Sequence, residues 1–229
     1  MERRARRPAK RVLVGIAGGS ASGKTTLVAA LSTLLSGRSV SLLRQDDYHV
    51  DRPDLRPEER ACLNFDQPSA LDNKLLARHL RALVRGEPVD SPCYCFRTHL
   101  RLPDTRRVDP AEIVIVEGMH LLRSALLRSL FDVRIFVDAP ADVRLARRIL
   151  RDTGPERARS TQSIVDQYLT HVRPMHERHV EPSKRHADTI VTDAADPAQA
   201  RRVAALIRHC LPRRAPVSSP TECRCCTRR

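Results

Sequence analysis

Gly18-Gly19-Ser20-Ala21-Ser22-Gly23-Lys24-Thr25 fits the pattern of two glycines five positions apart followed by lysine and a hydroxyl residue, the signature of a phosphate-binding loop. Each residue type has a mechanical reason to be there. Gly18 and Gly23 permit backbone conformations that turn successive N–H groups toward one anion. Lys24 supplies a positive charge for the β- and γ-phosphates, and the Thr25 hydroxyl suits Mg²⁺. The flanks have the required character. Residues 11–17, Arg11-Val12-Leu13-Val14-Gly15-Ile16-Ala17, form an aliphatic run typical of a buried parallel strand. Beyond the loop, Leu27, Leu31, Leu34 and Leu35 recur at helical spacing over 26–36, and Gly37 provides a stop. A helix beginning at the loop aims its N-terminal dipole at the bound phosphates.

Working outward, strand-like and helix-like segments alternate, as in an α/β fold. Strands are expected over 39–44, 112–117, 133–138 and 187–192. Helices are expected over 71–85, 120–130, 141–151, 160–179 and 197–211. Residues 47–70 and 86–110 show no clean period and are rich in Pro, Asp and Arg. Long irregular segments after strands tend to build the ligand site in such folds. The expected fold is therefore a P-loop NTPase with a doubly wound, mainly parallel sheet flanked by helices, carrying a small lid and acceptor-side insertions. One domain is expected over 11–211, with basic, disordered tails over 1–10 and 212–229.

The formal net charge of +14 over 229 residues invites a nucleic-acid reading. Its distribution weakens that reading, because residues 1–11 and 212–229 together carry +9 of it. Aromatic residues make up only 3%, too few for base-stacking platforms. Nucleic acid is accordingly not the expected partner. No apolar run approaches the roughly 20 residues of a membrane span, and no signal-peptide pattern follows the basic N-terminus, so a cytoplasmic protein without a membrane partner is expected. Cys62, Cys93, Cys95 and Cys210 are scattered, and Cys223 and Cys226 lack a second ligand pair. This excludes a zinc pattern of the usual spacing.

Three further sets of residues bear on chemistry. Glu117 ends an apolar run and precedes Gly118, a position from which a carboxylate can hold Mg²⁺ or its water opposite the phosphate loop. Asp46 and Asp47 end the second expected strand, and either carboxylate could orient an acceptor hydroxyl and take its proton. Arg144, Arg147, Arg148 and Arg151 share one face of the helix over 141–151, with Arg157 and Arg159 beyond it. Next to a phosphate loop, such arginines suit a lid that neutralises charge on the transferring group.

The ordered motifs resemble those of the uridine kinase (uridine/cytidine kinase) family from about Val12 to Leu211. They are the phosphate loop through Thr26, Gln45-Asp46-Asp47-Tyr48, Asn64-Phe65-Asp66 with Pro68, Pro92-Cys93-Tyr94 with His99, Val116-Glu117-Gly118, Phe136-Val137-Asp138, Arg144 to Arg148 with Arg151-Asp152, Gln167-Tyr168, and Glu181 to Lys184 with Ala187-Asp188. The resemblance implies transfer of the γ-phosphate of ATP or GTP, with Mg²⁺, to the 5′-hydroxyl of uridine or cytidine. It implies catalytic roles for Lys24, Asp46, Arg148 and Arg151, with Asp46 as the base. ATP would contact Gly18, Gly19, Ser20, Ala21, Ser22, Gly23, Lys24, Thr25, Thr26, Arg157 and Arg159. Thr25 and Glu117 would attend the metal. The nucleoside would contact Asp66, Tyr94, Phe96, His99, Arg148 and Gln167, with Asp66 on the ribose diol. A homo-oligomer, often a tetramer, is also implied.

The chain departs from the family pattern at Asp66-Gln67-Pro68-Ser69, at His49, where an aromatic residue is usual, and in a lid one residue longer than usual with Ala158. The alternative activity is that of a related kinase acting on a sugar phosphate or pantothenate. A rival of another class is an NTP-dependent nucleic-acid binder using its basic tails.

Overall fold

The computed structural model describes residues 11–155 and 157–212. Both expected tails, 1–10 and 212–229, lie outside these residues except for Pro212. Among the described residues, no helix is long and apolar enough to cross a membrane.

The phosphate loop hangs from the middle of a five-stranded parallel sheet. Strand β1 (Val12–Gly18) lies between β5 (Ile113–Gly118) and β6 (Val133–Val137), with β2 (Val40–Arg44) outside β5 and β7 (Thr189–Val191) outside β6. Every residue of β1 and β5 is buried, as expected of central strands covered on both faces. Alternate side chains serve two cores. Val12, Val14, Ile16 and Ile115 pack with Leu27 and Leu31 of helix α1 (Lys24–Leu34) and with Val203 and Ile207 of the C-terminal helix Pro197–Cys210. Leu13, Val114 and Val116 pack on the other face against Leu76, Leu80 and Leu83 of the helix Asn73–Arg85, and against Leu121, Leu122 and Leu127. Burying each such leucine contributes about 1.5–3 kcal/mol.

Local signals explain where the helices stop and start. The Asp72 carboxylate accepts the Leu75 N–H at 2.9 Å, and Gly86 closes the helix Asn73–Arg85 in the left-handed region at φ 94°. Asp196 caps the last helix through Ala198 N–H, with Pro197 at its first position. Helix α1 differs: its cap is Gly23, with no capping side chain and no acid in its first turn. Its leading N–H groups are left for a ligand.

Four expectations are corrected. Residues 86–110 are not irregular. They contain an antiparallel hairpin, β3 (Val89–Cys95) and β4 (Leu100–Val108), with a register shift between Pro92 and Tyr94. Pro92 and the charges of Arg101, Asp104, Arg106 and Arg107 mask its alternation, and a two-stranded ribbon tolerates proline that a central strand would not. Residues 47–70 likewise contain short helical pieces, among them α2 (Pro57–Ala61).

The expected helix over 120–130 shrinks to one turn, α4 (Ala125–Arg128), because Ser124 caps it through the Leu127 N–H. The expected helix over 160–179 begins as α6 (Thr161–Gln167) after α5 (Ala141–Asp152). It then passes through π-turns at Tyr168–Val172 and His176–Val180 on either side of α7 (Arg173–Met175). Pro174 removes a donor and crowds the preceding turn, and the wider π ladder accommodates it. A 3₁₀ segment, Glu181–His186, leads on to β7.

Gly118, where β5 ends, has no room for a side chain. A Cβ there would collide with the Cβ and carbonyl of the Gln45 side chain. Gly118→Ala is expected to lower stability by about 1–3 kcal/mol through overpacking. Urea denaturation checks this, and an unchanged midpoint would show that the Gln45 segment yields freely.

Candidate active site

The loop between β1 and α1 has the backbone of an anion cradle. Gly18 and Gly23 sit at φ 152° and 105°, and Ala21 also adopts a positive φ of 59°. Any side chain at Gly23 would meet the Ala194 methyl at 2.8 Å. Lys24 donates from Nζ to the carbonyls of Gly18 and Gly19 at 2.9 and 2.8 Å. Burial lowers its pKa against the pull of Asp46 and Glu117. The Thr25 hydroxyl donates to both oxygens of Glu117, at 3.2 and 3.1 Å. Burial raises the Glu117 pKa, opposed by Lys24 and by the Thr25 bond. A cavity of about 290 Å³ lies over the loop, lined also by Arg44, Asp46, Glu117, Met119, Arg147 and Arg151.

This pairing of a hydroxyl and a carboxylate suits Mg²⁺, a hard cation that prefers oxygen. Among the described residues, no cluster of three or more His, Cys, Asp or Glu could hold a metal by itself. A magnesium ion delivered on a nucleotide needs only one or two protein oxygens, since phosphates and waters complete its shell.

Helix α5 turns its basic face toward the loop, with Arg144 and Arg148 buried and Arg147 and Arg151 at the solvent edge. Arg148, buried, donates to Ser20 Oγ at 3.0 Å and to Gln167 Oε1 at 2.7 Å. Arg147 reaches the Ser22 carbonyl at 3.4 Å, and Arg151 reaches Ser20 Oγ at 3.5 Å. Asp152, fully buried, gathers three of these arginines. Arg151 donates to it at 2.7 Å, Arg157 lies at 3.1 Å and Arg148 at 3.5 Å. Burial pushes the Asp152 carboxyl up, but the Arg151 bond and the charges of Arg151, Arg157 and Arg148 outweigh it and hold the pKa below the usual value. Arg157 lies over the Phe96 ring, 4.4 Å from its centroid, and Arg159 donates to Gln167 Oε1 at 2.5 Å. Both of these arginines therefore contact residues expected on the nucleoside side.

A second cluster forms around Asp66 and the hairpin. Burial raises the Asp66 pKa against the charge of Arg148, and Asp46 adds to the rise. Tyr94 Oη and His99 Nδ1 are 3.4 Å apart. Phe65 stacks on His99 at 4.3 Å, His49 stacks on Tyr94 at 4.7 Å, and Phe96 meets Tyr94 edge-on at 5.3 Å. The four rings and His49 form one aromatic cluster, packed ring on ring. His99 itself is held at φ 56° at the hairpin tip, a strained conformation of the kind that functional sites retain.

Asp46 joins the two clusters. It is exposed, it lines the cavity over the loop, and its charge acts on Lys24, Asp66, Tyr94, Glu117 and Arg157. Asp47, the alternative carboxylate, faces Arg106 at 3.6 Å instead.

The reading of residue types missed Asp152 as the residue that gathers Arg148, Arg151 and Arg157, and it missed the aromatic contacts of His49 and Phe65. It also missed His120. The only available signal for Asp152 was an acid placed i+4 from Arg148 and beside Arg151. His120 is fully buried, and its Nε2 donates to the Asp66 carbonyl at 2.7 Å. Its backbone N–H donates to Gln45 Oε1 at 2.9 Å, and Gln45 Nε2 donates in turn to Asn73. His120 thus braces the segments that carry both Asp46 and Asp66.

Burial lowers the His120 pKa to about 4, against the pull of the Asp66 carbonyl. An unfolded imidazole takes its proton near 6.5, so below that pH the unfolded chain binds more protons and stability falls with pH until about 4. Between pH 7 and 5, wild type is expected to lose about 2 kcal/mol more stability than His120→Asn. Parallel urea titrations at the two pH values check this, and equal losses would show that His120 is not held neutral.

With this geometry in place, the comparisons are specific. Residues 13–198 match the family model described as "Phosphoribulokinase / Uridine kinase family". A uridine kinase of Brevibacillus brevis is 48% identical over 182 residues, covering 80% of this chain and 85% of that protein. A uridine kinase of Staphylococcus epidermidis is 48% identical over 181 residues, covering 79% and 87%. The solved structure of phosphoribulokinase from Rhodobacter spheroides superposes with a TM-score of 0.58 at 20% identity, covering 82% of this chain and 74% of that one, a likeness of fold. The two glycines, the lysine with its threonine, and the carboxylate at the end of β5 are thus set in the fold that this family shares, and the chain belongs to the phosphoribulokinase/uridine kinase family.

Proposed function

We propose that the protein is a uridine kinase, transferring the γ-phosphoryl group of ATP or GTP to the 5′-hydroxyl of uridine and of cytidine. The observation that carries this reading is the position of Asp46, between a phosphate cradle and a cluster that pairs a buried carboxylate with stacked rings. A buried carboxylate suits a ribose diol, and it disfavours the phosphate of a sugar phosphate. The relatives at 48% identity, both uridine kinases, support the same substrate.

The chemistry asks the protein mainly for positioning and charge. The N–H groups from Gly18 to Thr26 hold the β- and γ-phosphates, and Lys24 leaves its carbonyl partners to bridge them. Thr25 and Glu117 would hold magnesium, which would supply charge neutralisation at the phosphates. Asp66 accepts from the ribose 2′- and 3′-hydroxyls, while Tyr94, Phe96 and His99 enclose and read the pyrimidine, with Arg148 and Gln167 at its border. Asp46 orients the 5′-hydroxyl. As the oxygen attacks the γ-phosphorus in line, its proton passes to the Asp46 carboxylate and the bond to the β-phosphate oxygen breaks. Arg148 and Arg151 neutralise charge on the transferring group, and Arg157 and Arg159 close over it.

ADP release is measured first across uridine, cytidine, adenosine, thymidine, ribulose 5-phosphate and pantothenate. Turnover confined to uridine and cytidine is expected, with the 5′-monophosphate as product. Turnover of ribulose 5-phosphate or pantothenate alone would overturn the assignment. Asp46→Asn is expected to lower kcat by about 10²- to 10⁴-fold while ATP binding by calorimetry is retained. Near-normal turnover would remove Asp46 from the proton transfer. Asp66→Asn is expected to raise the KM for ribonucleosides by about tenfold or more with little change for ATP. Equal losses for both substrates would place Asp66 in the framework rather than on the sugar.

A further inference from the structure

A second concavity is larger than the one over the phosphate loop. A cavity of about 570 Å³ opens between the segment around α4 and the π-turn and 3₁₀ segments that follow α7. It shares no lining residue with the cavity over the loop. None of its lining residues is Asp66, Tyr94, His99, Arg148 or Gln167. Its volume lies in the range of small-molecule sites.

Its walls carry one sign of charge. Arg123, Arg128, Arg178 and Arg185 line it together with three histidines, and no aspartate or glutamate does. Among the described residues, none of these four arginines has a carboxylate partner, although many arginines elsewhere on the chain are ion-paired. Their donors fall back on weak or neutral acceptors. Arg123 Nε donates to His179 Nδ1 at 3.2 Å, Arg185 Nε to His186 Nε2 at 3.4 Å, and Arg128 to the carbonyls of Leu122 and Arg123. The histidines behave accordingly. Burial and the neighbouring arginines lower the pKa values of His179 and His186, as burial lowers that of His120.

His120 lines this cavity as well, with its Nε2–H already given to the Asp66 carbonyl, so the donors open to an anion are the arginines. Like charges crowded in a concavity raise the local potential and draw counter-ions of high charge density. Arginine forks match phosphate oxygens bidentately.

We propose that this cavity is a second anion site, taking the phosphate chain of a small polyphosphate, inorganic or ester-linked. Its inner wall is joined to the acceptor side. His120 hydrogen-bonds the Asp66 carbonyl and Gln45, Asn73 bonds Gln45, and Pro68 follows Asp66 by two positions. A chain bound here rests on the same braces that hold Asp46 and Asp66.

The test is calorimetric titration of the full chain with inorganic tripolyphosphate, in low salt without magnesium or nucleotide. Wild type is expected to bind two equivalents, one at the phosphate loop and one here. Lys24→Ala is expected to keep the second site. Arg123→Gln with Arg178→Gln, added to Lys24→Ala, is expected to weaken that site by about tenfold or more. Both arginines are exposed, and Arg178 makes no hydrogen bond or ion pair among the described residues. The single Arg178→Gln change therefore serves as a control that does not disturb packing.

A nucleoside triphosphate titrated beside tripolyphosphate on the Lys24→Ala background separates the two sources. Equal affinity identifies the phosphate chain itself as the ligand, and tighter nucleotide binding identifies an ester. A single equivalent in wild type that Lys24→Ala abolishes would overturn the proposal. So would a second site indifferent to Arg123 and Arg178. Neither result depends on nucleoside turnover, so the uridine kinase assignment stands or falls separately.

Discussion

The catalytic end of this molecule depends on one register. In the pairing of β1 with β5, Ile16 lies opposite Glu117 and Ala17 opposite Gly118. Because both strands are parallel and buried, they end at the same level, and the loop leaving β1 emerges beside the carboxylate ending β5. The contact of Thr25 with Glu117 across 92 residues of sequence follows from that alignment. A slip by one residue would turn Glu117 toward the opposite face and reverse which side chains of β1 meet each core. The two apolar cores therefore do more than stabilise the fold, since their alternation sets the geometry of the phosphate end.

Around that fixed end, function depends on balancing charge that would otherwise repel. Lys24 and five of the arginines from 144 to 159 crowd the loop, α5 and the segment after it. Asp152, Asp46 and Gln167 divide them into groups. Asp152 collects Arg148, Arg151 and Arg157 in a buried network, where losing the carboxylate would leave like charges facing one another in low dielectric. Gln167 accepts from Arg148 and Arg159 through one oxygen, so a neutral amide aligns two cations without cancelling either. This basic cluster thus keeps net positive charge beside the loop while its own repulsion is contained.

The sequence revealed most where a single local rule governs structure. The phosphate loop, the aliphatic strands and the leucine-spaced helices obey one periodicity each, and all appear within a few residues of their expected limits. The hairpin that carries Tyr94 and His99 was not legible as a hairpin. Its strands are held by cross-strand pairing and by Arg101 reaching the carbonyls of Tyr48 and His49, contacts that leave no periodic mark. The helix expected over 120–130 failed for a related reason. His120 and its neighbours are recruited to distant partners, Asp66 and Gln45, which outweigh local propensity. Residues were recognisable as chemical groups, but whether Asp46 or Asp47 faced the cavity was set by Arg106 on the neighbouring hairpin.

Lys24 in this conformation is not waiting in open solvent. It already makes two bonds, to the carbonyls of Gly18 and Gly19. In the proposed mechanism, nucleotide capture is consequently an exchange of partners rather than a simple gain. Two ammonium–carbonyl bonds are surrendered as ammonium–phosphate bonds form, and the affinity reflects the difference between the two sets. The same exchange spares the loop most of the ordering entropy that a collapsed or floppy loop would lose on binding. On the proposed reading the lysine is a placeholder, keeping the cradle in its working shape between turnovers and leaving it when the triphosphate arrives.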